Sequence, residues 1–497
     1  MGKSTLFTSN LFVSKSLLIF GFIALTFPWG SSLNKKPFIE DAWYGFSIAR
    51  SIANGFGITI DQSQATNGFQ PLQVLIDSIL YFFSNSDDLA IILSFSLRLL
   101  LHISSAIIFS NLIKQLVTGP RHENFHIFTF SIYLFHPAII TCALNGLETG
   151  LLLFLFLVFI TLVMNHTSVK PIKYSITSTT LCAIALIYTR IDMIVVLSCF
   201  LIWYFFYFSK RISIRMVLAI SIAVTPWLLW NFVNFGSIVP ISGQQQQDPS
   251  ISLFRITHLV KSLLYNASPW LGSTYDQNNL SLEAVSFLLR VFFFLWIMLF
   301  LPSKLSLSRF YLIRRDFFGL IIVLVLGLLI LSCYYGIVTF ATYFYQRYTV
   351  LTAPLVLILV LLKVNEATRT QRRIIFVAFL ISLLQFSVFY HSTKSENALY
   401  DNQVNLVMES IPEDQVVGAR QSGTLGYFRN RVINLDGKVN PRAPKDEHAM
   451  HRYLKSVNID WLCDWPSELA KVVVNYENEW SIFSKNSTVV CIRRKQT

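Results

Sequence analysis

The feature that most constrains this chain is the recurrence of apolar runs about as long as a bilayer is thick. A hydrocarbon core of about 30 Å takes roughly 17–25 residues of helix. Runs of that kind predict spans at 11–30, 91–114, 126–143, 149–165, 174–189, 191–208, 216–233, 283–301, 317–335, 347–363 and 373–391. Inside lipid every backbone polar group needs a partner from the chain itself, and helices supply it. Composition agrees. The chain is 54% hydrophobic and 13% charged, about half the charged share of a soluble globular protein. The expected class is an α-helical polytopic membrane protein with about 11 transmembrane helices.

The formal net charge of +13 would suggest nucleic acid in a soluble protein. Here the basic residues gather in alternate short connections: Lys114 and Arg121; Lys170 and Lys173; Lys210, Arg211 and Arg215; Lys304, Arg309, Arg314 and Arg315; Lys363, Arg369, Arg372 and Arg373. The positive-inside rule reads this as a cytoplasmic N-terminus and an outside C-terminus. No nucleic-acid partner is expected. The apolar run near Leu17 to Trp29 lacks a small-x-small cleavage site, so it reads as a retained first span. "YTRIDM" joins two short spans, which leaves a broken or re-entrant pair open there.

Two outside connections are long. In the first, 31–90, Ile39, Trp43, Phe46, Ile48, Ile52 and Phe56 give a partly helical pattern that stops at Gly55 and Gly57. "PLQVLIDSILYFF" is too short to span. Both read as interfacial helices on the outer leaflet. The second, 234–282, holds "GQQQQDPS", expected to be mobile and the only low-complexity segment. From 392 to 497 a predicted helix, "SENALYDNQVNLVMESIPEDQ", precedes strand-like "VVGAR", "RVINLDG", "IDWLCDW" and "STVVCIRR". The expected organisation is a membrane module over 1–391 and a small extracytoplasmic α/β domain over 392–497. An extracytoplasmic tail would allow Cys463 and Cys491 to form a disulfide.

Charged groups at membrane depth are costly, so they mark function. Glu40 and Asp41 open a helix at the outer surface. One carboxylate there would serve to complement the helix dipole; two together suggest a positioned base or metal ligand. Glu148, Arg190, Asp192 and Arg347 stand at span mouths, and Arg98 near a span end. Each alone reads as readily as an anchor or local ion pair as it does as a functional charge. Together they lie on one face of the membrane, where carboxylates and arginines suit an anionic lipid-phosphate substrate and a proton to be removed.

The ordered series "EDAWYGFSIARSIANGFGITI", "TNGFQPLQVL", "NGLETGLLL", "YTRIDM", "NFGSIVP", "QRYTVLTAPL", "SGTLGYF" and "VINLDGKVN" resembles the bacterial GT-C glycosyltransferases, from about residue 38 to 440. The resemblance implies a GT-C fold and an inverting transfer from a polyprenyl-phosphate sugar donor to an extracytoplasmic acceptor (glycan, lipid or protein). It implies a hexosyl- or pentosyltransferase of the bacterial inner membrane. It assigns Asp41 as the catalytic base. Glu40, Asn67, Gln70, Arg98, Glu148, Arg190, Asp192, Arg347 and Tyr348 form the substrate-binding set. A divalent cation stays open, with Glu40, Asp41 and Glu148 as its candidate ligands. In two places the chain departs from the family pattern. Gln244 to Gln247 stand where a lysine often follows the proline of "NFGSIVP", and "TRID" replaces the commoner Arg-Pro-Glu. A transporter is the rival reading, and it should carry its ionisable groups near the bilayer midplane. A scaffold whose tail binds a glycan is the third.

Overall fold

The structure is a computed structural model that describes residues 3–26, 38–62, 64–117, 122–167, 175–267, 307–339, 345–368, 370–377, 379–380 and 394–495. The span expected at 283–301, the end of the first one and most of the one at 373–391 lie outside the described residues.

The N-terminal part is helical: α1 Lys3–Thr26, α2 Glu40–Ala53, α3 Pro71–Phe82, α4 Asp87–Leu116, α5 His122–Leu134, α6 Pro137–Leu144, α7 Thr149–Thr167, α8 Ser175–Thr189, α9 Met193–Tyr207, α10 Lys210–Phe235, α11 Ile241–Gln245, α12 Leu253–Ala267, α13 Leu307–Val338, α14 Tyr345–Thr349 and α15 Thr352–Glu366. Among the described residues three helices are long and apolar enough to cross a bilayer: α4, α10 and the Asp316–Val338 part of α13. Phe125–Leu134 and Pro137–Leu144 make a fourth if counted as one span, bent by 51°. The break falls where Pro137 cannot continue the hydrogen-bond ladder, and His136 caps the new helix start. The broken pair is therefore here, earlier than the "YTRIDM" junction allowed for from the sequence. The other expected spans coincide with shorter apolar helices, among them Thr149–Asn165, Ile176–Thr189, Met193–Tyr207 and Thr352–Val364. One continuous apolar core, including Phe46, Phe95, Phe109, Phe156 and Phe200, ties α2, α4, α7 and α9 together.

Helices form at both places where interfacial helices are expected. α3 keeps an exposed apolar stripe of Leu75, Ile79 and Phe82. α2 departs from expectation. Ala42, Trp43, Phe46, Ile48 and Ala49 are all buried, because α3 covers one side and the C-terminal segment another. Gly55 and Gly57 close α2 at φ +80° and +82°, conformations that cost other residues a Cβ clash.

The C-terminal segment builds α16 Lys394–Ser410, β1 Val417–Ala419, α17 Gly423–Phe428, β2 Val432–Asn434, α18 Glu447–Ser456, β3 Trp461–Asp464, α19 Pro466–Val472, β4 Trp480–Lys485 and β5 Val490–Arg494. The sheet order is β2-β1-β3-β5-β4. β2, β1 and β3 run parallel, while β5 pairs antiparallel with β3 and β4. All four expected strands are present; β4 was not foreseen, because the adjacent apolar residues Ile482 and Phe483 break its alternation. Cys463 and Cys491 are register partners on β3 and β5 and are joined as a disulfide.

Candidate active site

Adjacent residues on an α-helix point about 100° apart, and this separates the two carboxylates that open α2. Glu40 faces the C-terminal segment. Its carboxylate accepts hydrogen bonds from the Gly423 N–H at 2.5 Å, the Thr424 N–H at 3.1 Å and the Thr424 hydroxyl. Gly423 is required there, since a Cβ would come within 2.5 Å of the Glu40 carbonyl oxygen. Burial pushes the Glu40 carboxyl up to about 7, against the pull of the Thr424 and Gly423 bonds. Further along α2, Asn434 Nδ2 and Ser422 N donate to Tyr44 Oη at 3.2 and 3.3 Å, and Arg50 Nη2 donates to the Tyr427 carbonyl at 3.0 Å. α2 is thereby fixed in rotation.

Asp41 faces the other way, into a cavity of about 320 Å³. Its Oδ2 is 3.9 Å from Arg347 Nη1, and its Oδ1 is 3.7 Å from Lys438 Nζ. Lys438 also lies 3.4 Å from Asp436 Oδ2. The two acids, Asp41 foremost, hold its ammonium well above the ordinary lysine range.

The "NGLET" turn brings in Glu148. Gly146 has φ +88°, and a Cβ there would meet Ala42 Cβ at 2.6 Å. The turn can therefore lie against α2, where the Asn145 carbonyl accepts from Ile39 N at 3.1 Å. Glu148 Oε1 is 3.9 Å from Arg190 Nε. Arg190 stands in the short link from α8 to α9. It pairs with Asp192, donates to Tyr335 Oη at 3.1 Å and to the Arg347 carbonyl at 3.3 Å. Tyr335 and Tyr348 stack at 4.1 Å, and the Arg190 guanidinium lies 5.0 Å from the Tyr348 ring centre. The side chains of Arg190 and Glu148 are only 3% and 6% exposed, against 15% for Arg347 and 24% for Lys438.

Asp41, Gln70, Glu148, Arg190, Asp192, Arg347 and Tyr348 thus share one cavity wall. Three expected site residues are directed elsewhere. Glu40 is turned to α17, as described. Arg98 is fully buried and binds Asp77 at 2.8 and 3.1 Å and the Gly146 carbonyl at 2.7 Å. Asn67 is buried and bridges Asn231 at 3.1 Å and the Ile241 N–H at 3.0 Å. The divalent-cation set changes with Glu40: among the described residues no three His, Cys, Asp or Glu side chains form a metal-binding group, so Glu40, Asp41 and Glu148 do not converge as ligands.

Two participants were missed. Lys438 stands in "NLDGKVN", which reads in the sequence as a strand end and turn, and its only signal was a cation inside one of the resembling motifs. The glutamine run is the other. It is ordered as a strap: Gln246 Oε1 accepts from Tyr348 Oη at 3.1 Å, Asp248 N donates to the Val338 carbonyl at 3.0 Å, and the Gln245 carbonyl accepts from Lys445 Nζ at 3.1 Å.

No family model matches the chain, and no curated protein matches its sequence. Solved structures match its fold. The crystal structure of ArnT from Cupriavidus metallidurans bound to undecaprenyl phosphate aligns over 98% of this chain and 98% of that one, with TM-score 0.59 and 9% identity. The same protein in the apo state aligns over 99% and 97%, with TM-score 0.60 and 11% identity. At such identity the likeness is one of fold. The fold class expected from the sequence, a polytopic α-helical membrane protein with a small α/β unit at its C-terminal end, is the fold of this chain, and ArnT shares it.

Proposed function

We propose that the chain is an inverting membrane glycosyltransferase that takes a sugar from a polyprenyl phosphate to an extracytoplasmic acceptor. The observation that carries this reading is Asp41: an acid aimed into a cavity, flanked on its two oxygens by Arg347 and Lys438. An acceptor hydroxyl placed at Asp41 attacks the anomeric carbon. Its proton passes to the carboxylate, the new carbon–oxygen bond forms, and the bond to the phosphate oxygen breaks. Its electron pair leaves on polyprenyl phosphate. One displacement inverts the anomeric carbon. Charge grows on the phosphate as the bond breaks, so nearby cations act more on the transition state than on the ground state.

ArnT of the same fold was crystallised with undecaprenyl phosphate, which supports the donor class. The apolar part of the cavity, with Val195, Leu331 and Val239, suits a lipid chain. The loops that gather at the cavity are those poor in Lys and Arg, whereas Lys114, Lys210, Arg211 and Lys363 lie at the ends of α4, α10 and α15 away from them. On the positive-inside rule the cavity then faces outward, which in a bacterial inner membrane is the periplasm, with the C-terminal domain beside it.

Asp41→Asn tests this directly. Asparagine keeps the side-chain size and loses the base, a change that costs about 10²–10⁴-fold in turnover. Transfer of labelled sugar by the purified variant should fall by that much while thermal stability stays near that of the parent. Near-parent transfer by a well-folded Asp41→Asn protein rules out Asp41 as the base.

A further inference from the structure

The cavity takes one wall from a part of the chain some 400 residues away from Asp41 in sequence, and that wall is built with care for a single side chain. The turn after β2 is closed by Asn434 Oδ1 accepting from Gly437 N at 3.1 Å and by Asp436 Oδ1 accepting from Lys438 N at 2.8 Å. It is gripped from both sides. A Cβ on Gly68 would lie 2.1 Å from the Lys438 carbonyl oxygen, and a Cβ on Gly437 would lie 2.7 Å from Gln245 Nε2. Two glycines in separate loops thus allow the first outer connection and the glutamine strap to clamp the turn. The strap itself brings no cation, since residues 237–250 hold neither lysine nor arginine.

Of the three cations at the cavity, Arg190 is enclosed by Asp192 and Glu148 and is the least exposed. Arg347 and Lys438 are more open, and they face opposite oxygens of Asp41. A carboxylate held between two cations at 3.7 and 3.9 Å marks a place where a second anion finds charge on both flanks.

We propose that Lys438 binds the phosphate of the lipid donor jointly with Arg347, so that the C-terminal segment supplies half of the phosphate site. This rests on the glycosyltransferase reading. The chemistry recognised is a phosphomonoester or phosphodiester oxygen, and the apolar cavity wall selects its lipid form over free phosphate. Because Asp41 lies between the two cations, its negative charge opposes the incoming phosphate. Removing that charge should tighten phosphate binding even as it stops transfer.

The test is binding of a short polyprenyl phosphate and of inorganic phosphate to the full-length protein in detergent. Lys438→Met should weaken polyprenyl phosphate binding at least about tenfold, and Lys438→Arg should restore most of it. Asp41→Asn should bind it as tightly as the parent or more so. Gly68→Ala keeps the lysine but displaces its turn, and should weaken binding in the same direction. Lys438→Met protein that binds the polyprenyl phosphate like the parent, with only transfer reduced, would make Lys438 a positioning residue for Asp41 and overturn the proposal. So would binding of inorganic phosphate with equal affinity, as far as the lipid form is concerned. A parent that binds no polyprenyl phosphate at all would overturn the functional reading, and this proposal with it.

Discussion

Arg98 and Arg347 each face an aspartate, yet their surroundings differ in closure. Arg98 is fully buried. It binds Asp77 through two nitrogens at 2.8 and 3.1 Å, and the same two nitrogens donate to the Gly146 and Ser94 carbonyls. Ser94 donates to the same aspartate at 2.6 Å. The knot joins α3, α4 and the "NGLET" turn, and its two charged side chains are almost wholly buried, 1% and 2% exposed. At Arg347 the nearest aspartate oxygen is 3.9 Å away, and a cavity lies beside the pair. Buried charges are stable when every hydrogen-bonding direction is used. The Arg98 group comes close to that condition within the protein: Nη1 and Nη2 are both used, and Nε alone has no partner among the described residues. The Arg347 group has space next to its charges, and a ligand anion can use it. Sequence treated both arginines alike; distance and closure distinguish a structural ion pair from a candidate binding one.

The comparison is broken most easily at Arg98. Arg98→Ala leaves Asp77 charged, buried and unpaired, which costs about 3–5 kcal/mol. Thermal unfolding in detergent should register it as the largest loss among these variants. Arg98→Met combined with Asp77→Leu removes both charges and should recover much of the loss, since a buried pair replaced by apolar groups is often near neutral. If Arg98→Ala retains parent stability but loses donor binding, the two regions have been assigned the wrong way round.

Arg347→Ala should show the opposite pattern. Stability should change little, and polyprenyl phosphate binding should weaken by about 2–5 kcal/mol. Arg347→Lys should regain only part, because a point charge does not reproduce a planar fork. Unchanged donor affinity in Arg347→Ala would remove it from the phosphate site.

Much of this architecture was legible in the chain. Span-length apolar runs gave the membrane class, and every motif of the series except "SGTLGYF" contributes residues to the cavity lining. What stayed hidden depends on contacts across hundreds of residues. Arg98 reads as a functional charge until Asp77 is seen beside it, 21 positions earlier. The glutamine run reads as mobile because amides have no periodic pattern, yet Tyr348, Val338 and Lys445 each hold one part of it. Lys438 reads as a turn residue because its partner, Asp41, lies at the other end of the chain. Helix α2 reads as interfacial because local periodicity cannot reveal that a distant segment covers its second face.

Glu40 extends the same contrast to a single helix turn and gives the smallest expected effect. Its carboxyl titrates at about 7 in the folded protein, above its ordinary 4.5, chiefly through burial and in small part through Asp41. Between those two values the folded chain holds a proton that the unfolded chain has lost. Stability therefore falls as pH rises through this window, is fully present below it, and has lost this contribution above about 7. The displacement corresponds to at most about 3 kcal/mol, an upper bound for a buried group. Asp464 is also pushed up to about 7 by burial, so the parent alone would not isolate Glu40. Glu40→Gln does, because glutamine is neutral throughout and leaves Asp464 in place. Melting temperature measured from pH 5 to 8.5 should fall less steeply in Glu40→Gln than in the parent, and the two curves should draw together at the alkaline end. Glutamine brings an amide donor towards the Gly423 and Thr424 N–H groups, so the variant should start lower at acid pH. Parallel curves would mean that the charge of Glu40 does not govern how the C-terminal segment docks on α2. Loss of sugar transfer in Glu40→Gln at unchanged stability would return Glu40 to the substrate side of the helix, beside Asp41.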